Sequence, residues 1–387
     1  MNVALWVVIG GVAFAVYTYA GYPAILRVLA RRASTPAAPD EWPMISLTVP
    51  VYNEEHVIAE TLEQILAIDY PRDRMQVLVV SDASSDGTDS IVASYAGRGV
   101  ELLRQPARAG KTAAENAARL FLRGDIIINT DASVRIAPDA VRRLVLWFSD
   151  PTVGVASGRD VSVAQVDETA NVGESGYVGY EMWVRDLETA ADGIVGASGC
   201  FYAIRRQLHM ELVPAALSRD FAAAMIAREA GLRAVSVPDA VCYVPRASSL
   251  RKEYRRKVRT ITRGMETLWD RRRLMNPLRF GRFSWMLFTH KACRWLLPWA
   301  AIASLMGLGA LALDHLWARV LVGLVIAGGL FALAGWLWPE DRKLPRLLAL
   351  PTFAVAGNLA ALHASLNAMR GERNPTWEPT RRKKGAG

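Results

Sequence analysis

Several carboxylates in this chain stand where a bond-making site could use them. Asp82 lies in Ser81-Asp82-Ala83-Ser84-Ser85-Asp86-Gly87-Thr88, Asp131 in Asn129-Thr130-Asp131-Ala132-Ser133, and Asp220 follows Ser218-Arg219. A further polar stretch, Pro50-Val51-Tyr52-Asn53-Glu54-Glu55, closes an apolar run. A carboxylate in a cleft can take a proton from an attacking hydroxyl or hold a hard cation through oxygen. Each also has a plainer reading. Asp82 and Asp86, among Ser and Gly, are turn and N-cap residues ahead of a helix. Asp131 sits where the run Asp125–Thr130 ends, a natural turn. Asp220 precedes Phe221–Ile226 and reads as a first helical turn, where capping and the helix dipole favour an aspartate. Arg108-Ala109-Gly110-Lys111-Thr112 is like the end of a phosphate-binding loop, but Gln105 stands where that loop needs glycine. No Gly-x-Gly-x-x-Gly follows the first strand either. Alone, Gly110 is a turn and Lys111 a solvated residue near a helix start. Cys200, Cys242 and Cys293 are too far apart for a disulfide framework, and no Cys/His cluster has zinc spacing.

The elements that must position these residues alternate. Ile45–Val51, Gln76–Ser81, Val100–Leu103 and Asp125–Thr130 are short and rich in Val, Ile and Leu, as strands are. Glu54–Ile68, Thr88–Tyr95, Thr112–Leu122 and Pro138–Phe148 carry helical patterns, the last with Pro138 at its first position. Strands alternating with helices argue for βαβ units and a mostly parallel α/β sheet. Ligands of such sheets bind beyond the carboxyl ends of the strands. The polar stretches at Pro50, Asp82 and Asp131 all lie there and should converge on one edge.

The whole chain has 387 residues, 52% of them hydrophobic and 21% charged, with a formal net charge of +9. That excludes a disordered or fibrous protein and points to anionic partners. The apolar residues gather at the ends. Val3–Ala20 carries no charge and is followed by Arg27, Arg31 and Arg32, which fits an uncleaved signal anchor with the following domain in the cytoplasm. Trp295–Leu313 and Val320–Trp338 are uncharged spanning candidates. Leu347–Leu366 carries Pro351, Asn358 and His363, so it is a weaker span, or an interfacial or re-entrant segment. Trp residues near the run ends fit an aromatic belt. If all four cross, the basic tail Arg381-Arg382-Lys383-Lys384 falls outside, against its charge.

These boundaries divide the chain into an anchor (1–30), a linker (31–42), a catalytic domain (43–250), a basic juxtamembrane region (251–290), C-terminal membrane helices (291–368) and a basic tail (369–387). The basic region, from Arg251 through Arg282, suits docking on anionic membrane lipids. Arg256 and Arg259 within it could instead face a diphosphate. Nucleic acid is not an expected partner, because no aromatic interleaving or recognition motif accompanies the charge.

Taken in order, Val49–Glu55, Asp82–Thr88, Gly110-Lys111, Asp131-Ala132-Ser133, Gly199–Arg206 and Arg219-Asp220 resemble the membrane-associated family 2 glycosyltransferases. The likeness covers about residues 44–265. It implies a GT-A-type, Rossmann-like cytosolic domain between N-terminal and C-terminal transmembrane helices, at the inner membrane. By that resemblance Pro50, Tyr52, Asn53 and Glu54 line the nucleotide pocket, and Asp82 binds the base, usually uracil. Gly110 and Lys111 lie near the donor. Asp131 and Ser133 stand at the metal-binding Asp-x-Asp, for Mg²⁺ or Mn²⁺. Asp220 takes the place of the acceptor base, and Arg205 and Arg206 follow the loop that shapes the acceptor side. The implied reaction is inverting transfer of a sugar, from a UDP-sugar by expectation, to a lipid-linked or polysaccharide acceptor. Three departures stand out. Ser133 replaces the second aspartate of Asp-x-Asp, and Arg219 replaces one carboxylate of an acidic pair. Arg256-Lys257-Val258-Arg259-Thr260 lacks both the Gln and the Trp of the Gln-x-x-Arg-Trp found in processive synthases, which favours single-sugar addition. Ser133 and Arg219 also motivate the alternative of a silent sugar-nucleotide-binding subunit in a polysaccharide-assembly complex.

Overall fold

The computed structural model describes residues 3–31, 36–163, 172–245, 249–339, 342 and 344–372; the basic tail at Arg381–Lys384 lies outside them. Two compact units form. One holds Arg31–Val163 and Glu188–Pro245, the other Met1–Ala30, Ala164–Leu187 and Arg246–Glu372.

The first unit is built on a sheet of β1 (Ile45–Val51), β2 (Met75–Ser81), β3 (Val100–Arg104), β4 (Ile126–Thr130), β5 (Arg135–Ile136), β6 (Val153–Val163), β7 (Phe201–Arg205) and β8 (Arg233–Pro245). Their order is β3-β2-β1-β4-β7-β6-β8-β5. The first four strands of that order are parallel, whereas β7 runs antiparallel to both β4 and β6. Every residue of β1 and β2 is buried, as expected of strands covered on both faces. One core packs Leu47, Val49, Leu62, Val77, Ile128 and Phe201 on one face. The other packs Val80, Ala118, Ile127, Tyr202, Ile204 and Ile226 on the opposite face. The mostly parallel α/β sheet read from the sequence is therefore present.

Helix boundaries differ from the sequence reading for local reasons. The first expected helix starts at Ile58 rather than Glu54. Residues 53–57 instead make a turn closed by Val57 N and Ile58 N on the Glu54 carbonyl. From there Ile58, Thr61, Leu62 and Ile65 give one buried stripe. The helix expected at Pro138 begins at Ala140. Pro138 stays outside it, its carbonyl accepting from Asp69 N at 2.9 Å.

Among the described residues, the second unit gathers four helices long and apolar enough to cross a membrane: Val3–Leu29, Arg282–Ala312, Leu316–Trp336 and Arg346–Arg370. The weak final run is thus one continuous 25-residue helix that includes Pro351. The segment Phe283–Phe288, ahead of the apolar run at Trp295, is the first part of the Arg282–Ala312 helix. Close packing of the first two helices depends on small residues: a side chain on Gly307 would meet the Ala4 carbonyl at 2.9 Å.

Both of these helices are interrupted by a π-turn, at Tyr17–Gly21 and at Phe288–Cys293. Widened turns of this kind are frequent where side chains need unusual placement, and here the two face one another. Trp285 Nε1 donates to Tyr17 Oη at 2.9 Å, and Tyr17 Oη lies 3.2 Å from Thr289 Oγ1. Beside them Glu181, from the helix Val172–Ala191, meets His290 Nε2 at 2.8 Å and accepts from Arg294 Nη1 at 2.6 Å. The amphipathic helix Leu250–Asp270 packs in the same unit, Val258 seating against Ala360 and Ala364.

Candidate active site

The carboxyl ends of β1, β2 and β4 do lie on one edge, because these strands are parallel neighbours. Two residues there adopt backbone conformations that side chains rarely take, Asn53 at φ 53° and Ala83 at φ 58°. Such strain persists where surrounding contacts impose it, and the contacts are visible. Ser85 N donates to Asn53 Oδ1 at 2.8 Å, Asn53 N to Ser84 Oγ at 3.1 Å, and Glu54 N to Thr88 Oγ1 at 2.8 Å. The loop after β1 is thereby stapled to the loop after β2. Pro50 fits within β1 because the pairing with β4 has ended at Thr48, so its missing N–H breaks no ladder bond there. Tyr52 presents its ring to Arg108, whose guanidinium carbon lies 3.8 Å from the ring centroid.

Asp82 is fully buried and both its oxygens are occupied. Oδ1 accepts from Gln105 Nε2 at 3.0 Å and Ala109 N at 2.7 Å, and Oδ2 accepts from Gly110 N at 2.9 Å. In this structure it anchors the loop Gln105–Gly110 to the end of β2 rather than presenting an open carboxylate. Gly110 has φ +96°, a conformation open to glycine, and it aims the next residue inward. Asp86 keeps its turn role: Oδ1 accepts from Thr88 N and Thr88 Oγ1.

Lys111 ties the centre together. Its Nζ donates to Asp131 Oδ1 and, at 2.8 Å, to the Gly199 carbonyl. Burial works against its charge, but Asp131, Glu115 and Asp220 outweigh that and raise its pKa. The solvated lysine of the plain sequence reading is thus a bridging one. Gly199 in turn abuts Asp220, and a side chain there would meet Asp220 Oδ2 at 2.5 Å. Asp220 Oδ1 accepts from Ser218 Oγ at 2.6 Å. Asp131, Lys111, Gly199 and Asp220 therefore form one contiguous group.

Arg219, beside Asp220, points elsewhere. It is buried and donates to Asn116 Oδ1 and to the carbonyls of His209 and Glu211. It is a strut for the start of the helix Arg219–Glu229, not a substitute carboxylate.

Arg205 is corrected by the structure. Because β7 is antiparallel to β4, Phe201 pairs with Thr130 near the site while Arg205 pairs with Ile126 at the opposite edge. There its guanidinium donates to the carbonyls of Val153, Phe148 and Asp150. A cavity of about 580 Å³ lined by Asp125, Arg205, Arg206 and Met210, among others, opens at that far edge, away from the carboxylates. Arg256 and Arg259 belong to the unit of apolar helices, on Leu250–Asp270, where Glu253 accepts two bonds from Arg256.

Residues that escaped the sequence reading also shape the centre. Asp160 on β6 accepts from Ser198 Oγ at 2.8 and 2.7 Å, fixing the approach to Gly199. Its one sequence signal is an acid inside the strand Val153–Val163, beside Arg159. Glu115, 2% exposed, sits one helical turn beyond Lys111. Burial raises its pKa, opposed by Lys111 and Arg219.

A divalent cation has a partial fit. Lys111 holds Asp131 Oδ1, with Ser133 two residues on. Among the described residues no group of three or more His, Cys, Asp or Glu side chains could hold a metal. A cation here would complete its oxygen shell from a bound diphosphate, a habit of Mg²⁺.

Comparison with known proteins follows the same region. Residues 46–213 match the family model described as glycosyl transferase family 2. A beta-monoglucosyldiacylglycerol synthase of Trichormus variabilis is 30% identical over 169 residues, 43% of this chain and 36% of that protein. An N-acetylglucosaminyltransferase of Mesorhizobium japonicum is 28% identical over 244 residues, 58% of this chain and 56% of that protein. The chain thus spans about a third to a half of the curated relatives it matches. Among solved structures, a mannosyltransferase from Pyrobaculum calidifontis, in complex with GDP-Man and Mn²⁺, superposes with a TM-score of 0.72 at 24% identity. That likeness covers 95% of this chain and 100% of the other, and supports the fold.

Proposed function

Residues 46–213 form a family 2 glycosyltransferase domain, and from that premise we propose that the protein transfers a sugar from a nucleotide donor to an acceptor at the inner membrane face. The observation that carries the reading is the contiguity of Asp131, Lys111, Gly199 and Asp220 at the carboxyl ends of the parallel strands. Asp220 is the base: it takes the proton of the attacking hydroxyl, an effect of roughly 10²–10⁴-fold. Lys111 supplies fixed positive charge where the departing diphosphate becomes more negative. A divalent cation held by Asp131 and Ser133 supplies further charge neutralisation when bound. With Asp220 as the base, attack comes from the face opposite the diphosphate and inverts the anomeric centre. Tyr52, Asn53, Glu54 and Pro50 line the donor side, with Asp82 holding the Gln105–Gly110 loop against it.

The donor is a UDP-sugar in this reading and the acceptor a lipid-linked or saccharide hydroxyl. The apolar helices support a lipid acceptor, as does a relative whose name describes glycolipid synthesis. The helix Leu250–Asp270 turns its basic residues to anionic lipid. The catalytic domain faces the cytoplasm in this reading because Arg27 stands in the last turn of the first apolar helix and Arg31 follows it. Thr260, in place of a tryptophan, leaves no stacking platform for a growing chain, so one sugar is added per acceptor. The silent-subunit alternative gains nothing from Arg219, whose buried strut role leaves Asp220 in place.

The test is a screen of radiolabelled nucleotide sugars against membranes containing the protein, with Mg²⁺ or Mn²⁺. Short, donor-dependent products that vanish in Asp220→Asn are expected. An Asp220→Asn protein at the wild-type rate removes the base, and a ladder of long polymer removes single addition.

A further inference from the structure

We propose that Glu115 is a positioning residue for Lys111, a standby counter-ion that receives the lysine when a bound donor engages Asp131; this rests on the reading above of Asp131 as part of the donor site. Lys111 and Glu115 both lie on the helix Lys111–Ala118, four positions apart. Side chains at that spacing are neighbours, and both lean toward the helix N-terminus, so Glu115 reaches back over the turn that Lys111 opens.

Glu115 is 2% exposed, and its Oε1 is buried without a hydrogen-bond partner among the described residues. A buried carboxyl left so is costly. Two cations lie close enough to influence it, Lys111 and Arg219. Arg219 is already engaged by Asn116 and by the carbonyls of His209 and Glu211. Lys111 is different. Its ammonium is a point charge on a flexible stem, bound at present to Asp131 and the Gly199 carbonyl.

That arrangement poses a conflict which Glu115 resolves. The carboxylate that holds Lys111 is the same one the donor complex needs. Releasing the ammonium into a partly buried site without a counter-ion would oppose donor binding. With Glu115 one turn away, Lys111 exchanges one carboxylate for another and keeps its charge close to the diphosphate. Glu115 touches no substrate in this scheme; it acts through the lysine.

A stability cycle on the full-length protein in detergent, without ligand, reads the exchange directly. Asp131→Asn and Glu115→Gln should each lower Tm modestly, because Lys111 keeps one partner. Combined, they should lower Tm by clearly more than the two shifts added together. In a Lys111→Met background the same two substitutions should become additive. Additive shifts with Lys111 present, or non-additivity that persists without it, overturn the proposal. If the double variant does not fold, calorimetry of UDP with Mn²⁺ on the single variants decides. Glu115→Gln should weaken binding about tenfold, and Glu115→Asp should restore part of it. Equal affinity for wild type and Glu115→Gln overturns the role of Glu115. A wild type that binds no nucleotide overturns the donor reading instead, and leaves the Tm cycle to judge Glu115.

Discussion

Asp220 is oriented by Ser218 Oγ and bounded by Gly199, so replacing its carboxylate with an amide changes chemistry more than shape. Asp220→Asn should lower the transfer rate by roughly 10²–10⁴-fold, with nucleotide-sugar affinity, followed by calorimetry, unchanged within about twofold. Asp82 gives the opposite pattern. Its oxygens satisfy the N–H groups of Ala109 and Gly110 and the Gln105 amide. Asp82→Ala leaves those buried donors unmatched, at a cost of about 1–3 kcal/mol each where water cannot enter. A lower Tm and a weaker donor Kd should appear together, because the loop that leads into Lys111 loosens. The sequence marks both aspartates as candidates but does not separate them. Turn chemistry and a binding role use the same residue types, and the distinction rests on which atoms are already occupied.

At the scale of elements, the π-turns at Tyr17–Gly21 and Phe288–Cys293 bring polar side chains together beside Glu181. Burial alone would raise the Glu181 pKa, but His290, Arg294 and Lys291 reverse that and hold it well below the usual carboxylate range. A depressed acid contributes stability above its unfolded pKa, about 4.3, and loses that contribution as pH falls through the folded value. Glu181→Gln should therefore lower Tm at pH 7, and the gap from wild type should shrink as pH drops below about 4. Thermal melts across pH 3–7 in detergent check this; a gap independent of pH would show that the charge is not what matters. In sequence, His290, Lys291 and Arg294 look like charges flanking an apolar run that starts at Trp295. The helix begins a dozen residues earlier, at Arg282, because their partner Glu181, over a hundred residues distant in the chain, satisfies them.

For the whole molecule, four long apolar helices and the net charge of +9 make one expectation. The protein should stay in the membrane pellet through washes in high salt and alkaline carbonate, and leave it in detergent. Protease should cut the domain between the first and second apolar helices only when added to the cytoplasmic side. Release by salt alone would mean that the basic residues, not the helices, hold it there.

The alternation of apolar runs with helical patterns was enough to place the parallel strands, since a strand covered on both faces must be continuously hydrophobic. Uncharged runs near the required length likewise marked the candidate membrane helices. The ordered acidic ends named the family resemblance, because chemistry at the carboxyl edge of a sheet needs particular residues just after particular strands. Tertiary structure decided the rest. The antiparallel course of β7 carries Arg205 away from the site it follows in sequence. Burial makes Lys111 a bridge and, among the described residues, leaves Glu115 Oε1 without a hydrogen-bond partner. Strand direction and desolvation depend on neighbours distant along the chain, and no local pattern encodes them.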